Sequence, residues 1–374
     1  MRVGKAAVAL VSTAALLLTG YAYMTLDNLR TDINTTDALE HSDGAPKDDG
    51  AVDILLVGTD ARTDTRGNPL STDMLKELRT EHKAGVNTDT LIILRMPRDG
   101  GHPTAVSIPR DTWVGLPSGG TGKINSAFNT AKQAELAKLR ADGATDRAER
   151  ERESDQAGRT ALVHTISDFT DIRIDHYAEV SLLGFYLLTE ALGGVDVCLN
   201  HATVDKDSGA DFEPGRQVVK GGEALSFVRQ RKNLPRGDLD RIVRQQVFLG
   251  SALHKVLSAG TLTSPAKLEE LTDAVHRSVV LDPDLDILEF AEKAKTLASG
   301  DVEFVTIPVV TISGHSKDGQ SVVEVDTEAV RAFIADLVDK APAAKDTSAG
   351  GGSSGAGRPV VLAPSTEGGV PCVN

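Results

Sequence analysis

The longest apolar stretch of the chain comes first. Arg2 and Lys5 precede a run from Ala6 to Met24 that contains no charged residue. A helix of ~19 residues is about long enough to cross a hydrocarbon core of roughly 30 Å, so a transmembrane anchor is expected over residues 1–26. Basic residues ahead of the run favour a cytoplasmic stub and an exported body. A cleaved signal peptide is the competing reading. The run is long for that, and no small-x-small cleavage site follows it. Leu18-Thr19-Gly20-Tyr21 has the shape of a lipoprotein box without its cysteine. Residues 27–50 are polar and read as an extracytoplasmic stalk.

From Ala51 the pattern becomes that of a globular domain, expected to run to residue 340. Val52 to Val57 is a short apolar run closed by Gly58, the mark of a buried strand. Thr90 to Leu94 and Thr104 to Ile108 are two more, with the continuous apolar look of buried parallel strands. Ala127 to Phe169 reads as helix. Its middle, Lys132 to Arg159, is dense in Lys, Arg, Glu and Asp, which predicts a solvated helical arm or a partly disordered insertion. Tyr177 to Val180 reads as strand, Leu182 to Leu192 as helix, and Val195, Val197 and Leu199 as the next strand. Helices follow over Gly222 to Val228 and Leu239 to Leu257, the latter with apolar spacing at Ile242, Val243, Val247, Leu249 and Leu253. Further helices are expected over Pro265 to Val275 and Leu285 to Leu297. A strand over Val302 to Val310 and a helix over Thr327 to Val338 complete the domain. Strands alternating with helices indicate an α/β sandwich. Ala341 to Gly357 is rich in Ala, Gly and Ser, so residues 341–374 read as flexible linker and tail.

Charge narrows the function. The 374 residues carry a formal net charge of −14, which argues against a nucleic-acid binder with its usual basic stripe. A basic pocket for an anion is still allowed, because local potential can oppose net charge. The two cysteines, Cys198 and Cys372, have no zinc spacing. In an exported chain they form one disulfide that ties the last residues back to the domain, or stay as two thiols. His164, His176 and His201 show no metal-ligand spacing, and no GxSxG elbow or Cys/His pair is visible. Gly119 to Lys123 lacks the spacing of a phosphate loop.

The densest chemistry is Phe227-Val228-Arg229-Gln230-Arg231-Lys232, then Gly237-Asp238-Leu239-Asp240-Arg241 and Arg244-Gln245-Gln246. Arg229 and Arg231, two apart, suit an extended segment with both side chains on one face. Arg241 and Gln245, four apart, share a helix face. Guanidinium groups gathered in one place repel unless an anion joins them, and phosphate oxygens match the Arg fork. The competing reading is a surface salt-bridge network. A second set shifts the balance. Asp60 follows the first strand, Asp89 sits where the second begins, and Arg110-Asp111 follows the third. Strand ends are where open α/β sheets bind ligands. A divalent cation sharing a pyrophosphate with the arginines accounts for carboxylates there, although turn capping explains each one singly. Lys123 and Asn125 open the long helix and could add a charge and an amide; a surface lysine and a capping asparagine fit equally well.

Six segments occur in the order seen in LytR-CpsA-Psr proteins: Asp53 to Arg62, Asn87 to Leu91, Ser107 to Thr112, Lys123 to Phe128, Gly193 to Val197 and Phe227 to Gln245. The chain therefore resembles that family, closely over Val52 to Ser258 and more loosely beyond. The resemblance implies an αβα sandwich with a central mixed sheet. It implies a Mg²⁺-dependent phosphotransferase, with Mn²⁺ as a substitute ion. The reaction would move a teichoic acid, capsule or arabinogalactan-type polymer from a polyprenyl pyrophosphate to peptidoglycan, forming a phosphodiester outside the cytoplasmic membrane. By motif, Asp60 and Asp89 would bind the metal. Arg110, Arg229, Arg231 and Arg241 would hold the pyrophosphate, with Lys123 and Gln245 assisting. Asp238 would support the arginines or deprotonate the acceptor hydroxyl. No nucleic acid or protein partner is expected. Two rivals remain: a lipid pyrophosphate phosphatase that uses water, and a non-catalytic membrane regulator or glycopolymer-binding scaffold.

Overall fold

The computed structural model describes residues 33–39, 48–82, 85–99, 101–256, 264–285, 302–339, 366–367 and 370–374. The expected anchor over 1–26, most of the stalk, the helix expected after Leu285 and the linker over 341–365 lie outside the described residues. Among the described residues no helix is long and apolar enough to cross a membrane.

In chain order the elements are β1 (Asn34–Thr35), β2 (Ala51–Thr59), α1 (Thr72–Glu77), β3 (Thr88–Pro97), β4 (Thr104–Ser107), β5 (Trp113–Gly115), β6 (Thr121–Lys123), α2 (Ser126–Ala141) and α3 (Arg147–Thr170). Next come β7 (His176–Ser181), α4 (Leu182–Ala191), β8 (Val195–Leu199), β9 (Thr203–Asp205), β10 (Ala210–Phe212), β11 (Gly215–Val219), α5 (Gly221–Arg229) and α6 (Asp238–Val256). The last are α7 (Pro265–Ser278), β12 (Val279–Leu281), β13 (Glu303–Thr306), β14 (Thr311–His315), β15 (Ser321–Glu324), α8 (Thr327–Asp339), β16 (Thr366–Glu367) and β17 (Val370–Val373).

The central sheet has seven strands in the order β1-β12-β7-β2-β3-β4-β13. It is mixed: β2 runs parallel to β7 but antiparallel to β3, and β3 is antiparallel to β4. The parallel reading of the first three apolar runs is therefore corrected. Both sheet faces are covered by helices, so these strands are apolar throughout whatever their direction. Strand alternation divides the core. Leu55, Val57, Leu91, Ile93 and Val106 pack with Phe128, Leu162, Ile166 and Ile334 of α2, α3 and α8. Ile54, Ile92, Leu94 and Ala105 face the other way, toward Leu249 and Leu253 of α6.

The charged stretch is helical with most of its charges exposed, as expected, but one seam of it is packed. The helix expected over Ala127 to Phe169 is two helices, with a break at Asp142 to Asp146, where Asp146 caps α3 by accepting from the Ala148 and Glu149 N–H groups. Lys132 is buried, with Nζ 2.5 Å from both Glu151 and Asp155 across the seam. A Cβ on Gly158 would come within 2.8 Å of the Phe128 ring. The seam between the two helices is close-packed around Lys132, while Lys138, Arg140, Arg147, Glu149, Arg152 and Glu153 on the outer faces are exposed.

A second sheet, β11-β8-β17-β16, lies against α4, α5 and α6. In it β17 runs parallel to β8 with Cys372 opposite Cys198, and the two form a disulfide. The last residues are thus a docked strand rather than a free tail.

Candidate active site

One edge of the central sheet collects the chemistry, and the register explains why. Because β2 and β3 are antiparallel, the end of β2 and the start of β3 lie together. Because β4 is antiparallel to β3, its end arrives at the same edge. Asp60, Asp89 and the Arg110–Asp111 pair therefore share one edge although they are far apart in sequence. The C-terminus of α5, with Arg229, and the N-terminus of α6, with Asp238 and Arg241, close over it.

Asp238 is the hub. Its Oδ1 lies 3.0 Å from Arg241 Nη2, 3.6 Å from Arg231 Nε and 4.0 Å from Arg110 Nε. Arg110 also pairs through Nη1 with Asp89 Oδ1 at 2.5 Å and faces Asp111 at 3.8 Å. Asp111 in turn holds Lys123 Nζ at 3.0 Å and Arg231 Nη2 at 3.5 Å. Arg241 is almost wholly buried and also donates to the Asp89 carbonyl at 3.4 Å. At the far side Asp60 accepts from the Asn87 N–H at 2.6 Å and from Asn87 Nδ2 at 3.2 Å, and pairs with Arg62 at 3.4 Å. Arg229 has no carboxylate bond of its own. Its Nη1 donates to the carbonyls of Leu78 and Arg79 at 3.4 and 3.3 Å, where α1 ends.

Burial wins at two of the guanidinium groups and loses at a third. Burial pushes the Arg241 guanidinium down to about 10, with Arg110 adding to the effect and Asp238 only partly opposing it. Burial also lowers Arg229, which feels Asp89 and Asp60 but also the like charges of Arg62 and Arg110. Burial works against charged Arg110 too, but Asp89, Asp111 and Asp238 overcome it and hold the guanidinium above its ordinary value. Six cations (Arg62, Arg110, Lys123, Arg229, Arg231, Arg241) stand among four carboxylates (Asp60, Asp89, Asp111, Asp238), in a chain whose net charge is −14. Two donors at the centre, Arg110 Nε and Arg241 Nε, are buried without a hydrogen bond. Arg95 Nε, paired with Asp49 and Asp53 away from the cluster, is unmatched as well, but at the cluster the cations also outnumber the carboxylates beside them. An anion with several oxygens would satisfy the two Nε–H groups.

The sequence-predicted residues are brought together with two exceptions. Gln245 does not reach the cluster; its Nε2 donates to the Val228 carbonyl at 3.3 Å, bracing the end of α5. Arg244 points away from it, buried between Gln230 Oε1, the Asn374 carbonyl and the Phe227 ring. The extended reading of Arg229 and Arg231 is corrected as well. Arg229 is the last residue of α5 and the chain turns extended only at Gln230, so the two side chains leave in different directions. Arg62 and Asp111 were not among the expected site residues. Both lie in the motif segments, but only the fold shows that Asp111 joins Lys123 to Arg231.

For a divalent cation the donor set is lean. Among the described residues no group of three or more acidic, histidine or cysteine side chains could cage a metal. Asp60 and Asp89 are both within electrostatic reach of Arg229, and each carboxylate keeps lone pairs beyond those its partners use. That fits Mg²⁺ of the kind held by one or two carboxylates with phosphate oxygens and water supplying the rest.

Comparison with known proteins gives a consistent picture. The description "LytR_cpsA_psr family" matches residues 17–338. The cell wall biosynthesis protein LcpA of Corynebacterium glutamicum is 47% identical over 349 residues, 92% of this chain and 67% of that protein. The polyisoprenyl-teichoic acid–peptidoglycan teichoic acid transferase TagU of Oceanobacillus iheyensis is 30% identical over 243 residues, 65% of this chain and 62% of that protein. The chain thus spans about two thirds of the length of these relatives. Among solved structures, TagV of B. subtilis superposes with a TM-score of 0.53 at 23% identity, covering 79% of this chain and 100% of that one. A LytR-Csp2A-Psr enzyme of Actinomyces oris superposes at 0.52 with 15% identity, covering 82% and 96%. Both share the fold.

Proposed function

The chain belongs to the LytR_cpsA_psr family, and from that premise we propose that it transfers a phosphate-linked glycopolymer from a polyprenyl pyrophosphate to peptidoglycan. The observation that carries the reading is the excess of cations over carboxylates at the cluster, where Arg110 Nε and Arg241 Nε are buried without hydrogen bonds. The name of the O. iheyensis relative supports the direction of transfer, and that of the C. glutamicum relative supports a role in cell wall biosynthesis. In this reading the apolar run Ala6 to Met24 anchors the chain and the catalytic domain lies outside the cytoplasmic membrane.

The reaction is a phosphoryl substitution. An acceptor sugar hydroxyl attacks the phosphorus that carries the glycan, its oxygen forms the new P–O bond, and the bond to polyprenyl phosphate breaks. Such a transition state needs neutralised oxygens and in-line geometry rather than a protein nucleophile. Arg110, Arg229, Arg231 and Arg241 bind the bridging and terminal oxygens, and Lys123 reaches the same anion from the hairpin side. Preorganised cations in a dry site stabilise the departing charge without reorganising. Asp238 holds three of the guanidinium groups in place and in this reading takes the hydroxyl proton. Asp60 and Asp89 would hold Mg²⁺. When bound, the ion would withdraw charge from the pyrophosphate oxygens.

The test is transfer by the full-length chain with a polyprenyl-pyrophosphate glycan and a peptidoglycan oligomer. Glycan on the oligomer, lost in Arg110→Ala, supports the transferase. Free polymer phosphate with no glycan on the oligomer would point to the phosphatase instead.

A further inference from the structure

Beside the arginine cluster lies a cleft of about 480 Å³, within the roughly 300–1,000 Å³ usual for small-molecule sites. Two hairpins form it. One wall, from β5 and β6, carries Trp113, Leu116 and Lys123; the other, the turn between β14 and β15, carries Lys317, Asp318 and Gln320. Trp113 and Lys123 are directly opposed in the antiparallel register, so both side chains leave the same face of the hairpin.

Both walls join the cluster at the same residue. Lys123 Nζ is 3.0 Å from Asp111 Oδ1. On the other side the Val323 N–H donates to the Asp111 carbonyl at 2.9 Å, beside the bridge from Thr112 to Val323. A ligand in the cleft therefore ends at Lys123 and Asp111, one side chain away from Arg231. At the rim Gln320 Nε2 donates to Asp318 Oδ2 at 2.7 Å.

Trp113 is the only tryptophan of the chain, and it is half-buried in this wall rather than packed in the core. A half-buried indole lining a cleft, with ammonium, carboxylate and amide groups around it, matches the two surfaces of a pyranose. The C–H face of the sugar stacks on the ring, and its hydroxyls pair with the rim. We propose that this cleft is a saccharide subsite, holding one ring of a glycan whose reacting end lies at the arginine cluster. Only that last clause rests on the transferase reading; sugar binding on Trp113 does not need it. The ring could come from the peptidoglycan acceptor or from the donor polymer, since both present pyranose faces.

A single tryptophan makes the test direct, because emission from the full-length chain in detergent reports on Trp113 alone. The chain is titrated separately with a soluble peptidoglycan glycan oligomer and with the polymer freed of its lipid. A saturable emission shift is expected, weakened about tenfold in Gln320→Ala, with calorimetric binding lost in Trp113→Ala. A shift with the oligomer assigns the acceptor to the cleft, and a shift with the free polymer alone assigns the donor; either supports a saccharide subsite. Arg110→Ala should keep the shift while losing transfer, which separates this proposal from the phosphotransferase reading. Absence of both shift and binding heat with either saccharide at millimolar concentration would overturn it, as would an unchanged shift in Gln320→Ala together with unchanged calorimetric affinity in Trp113→Ala.

Discussion

Replacing Arg241 by methionine removes a charge that the fold holds at a cost. The guanidinium is 3% exposed, and burial pushes it down to about 10. A base whose folded value is depressed binds fewer protons than the unfolded chain between the two values. Stability therefore rises with pH through that window, and at neutral pH the cost is fully present. Against the ordinary arginine value the gap corresponds to about 3 kcal/mol. An anion at the cluster would return that energy, which makes Arg241 a binding group that weakens the empty protein. Methionine has similar length and no charge, and Asp238 keeps Arg231 and Arg110 beside it. The ligand-free Arg241→Met chain should then melt higher, by up to roughly 10 °C at about 2–4 °C per kcal/mol. Its affinity for inorganic pyrophosphate should fall about 10- to 100-fold, the loss expected for hydrogen bonds to a charged group. Thermal melts by circular dichroism and calorimetric titration with pyrophosphate measure the two halves. A variant that melts lower and binds pyrophosphate as well as wild type would refute the reasoning, leaving Arg241 as a structural partner of Asp238.

Arg110→Ala removes the cation between Asp89, Asp111 and Asp238; it should cost about 3–5 kcal/mol in denaturant unfolding, as for other broken buried pairs, and abolish transfer. Glu179 is buried, and although burial alone would raise its carboxyl, Arg159 and the Tyr177 hydroxyl hold it below the ordinary value. An acid depressed in this way adds stability above the ordinary carboxylate value and loses it as pH falls through the folded value. Acid unfolding monitored by near-ultraviolet dichroism should show that loss below about pH 4.5 in wild type, and Glu179→Gln should lack it while being less stable at neutral pH. Cys372→Ser opens a disulfide that spans 174 residues of sequence; it should cost about 2–5 kcal/mol in urea unfolding and free β17 from β8, exposing the amides of Cys198 and Asn200, which face β17, to hydrogen exchange.

The apolar runs announced β2, β3 and β4, because each is covered on both faces. The same coverage hid their direction, which is set by pairing partners that lie far along the chain. The motif spacing located the arginines of the cluster but not their arrangement. Arg229 and Arg231 look like neighbours on a strand, yet Gly221–Arg229 continues as helix through the first of them. Lys132 looked solvated because sequence shows its charge and not its partners, Glu151 and Asp155, across a helical seam. Asp111 was noted at a strand end but given no role of its own, for the same reason. Its two contacts, to Lys123 and Arg231, come from a hairpin and from a helix end brought together only by the sheet edge. Strand β17 has four residues after a long polar linker, too short to carry a periodic signal, and Cys372 was the one hint that it returns.

The central claim is that the arginine cluster moves a glycan from lipid pyrophosphate to a peptidoglycan hydroxyl. Full-length chain, polyprenyl-pyrophosphate glycan, peptidoglycan oligomer and Mg²⁺ together test it, with polyprenyl phosphate and oligomer-bound glycan followed by mass spectrometry. The account predicts that both products form in equal amount, and that both disappear with chelator, in Asp89→Ala and in Arg229→Ala. Tight binding of the lipid with neither product formed, across a panel of lipid-linked polymers, would contradict it.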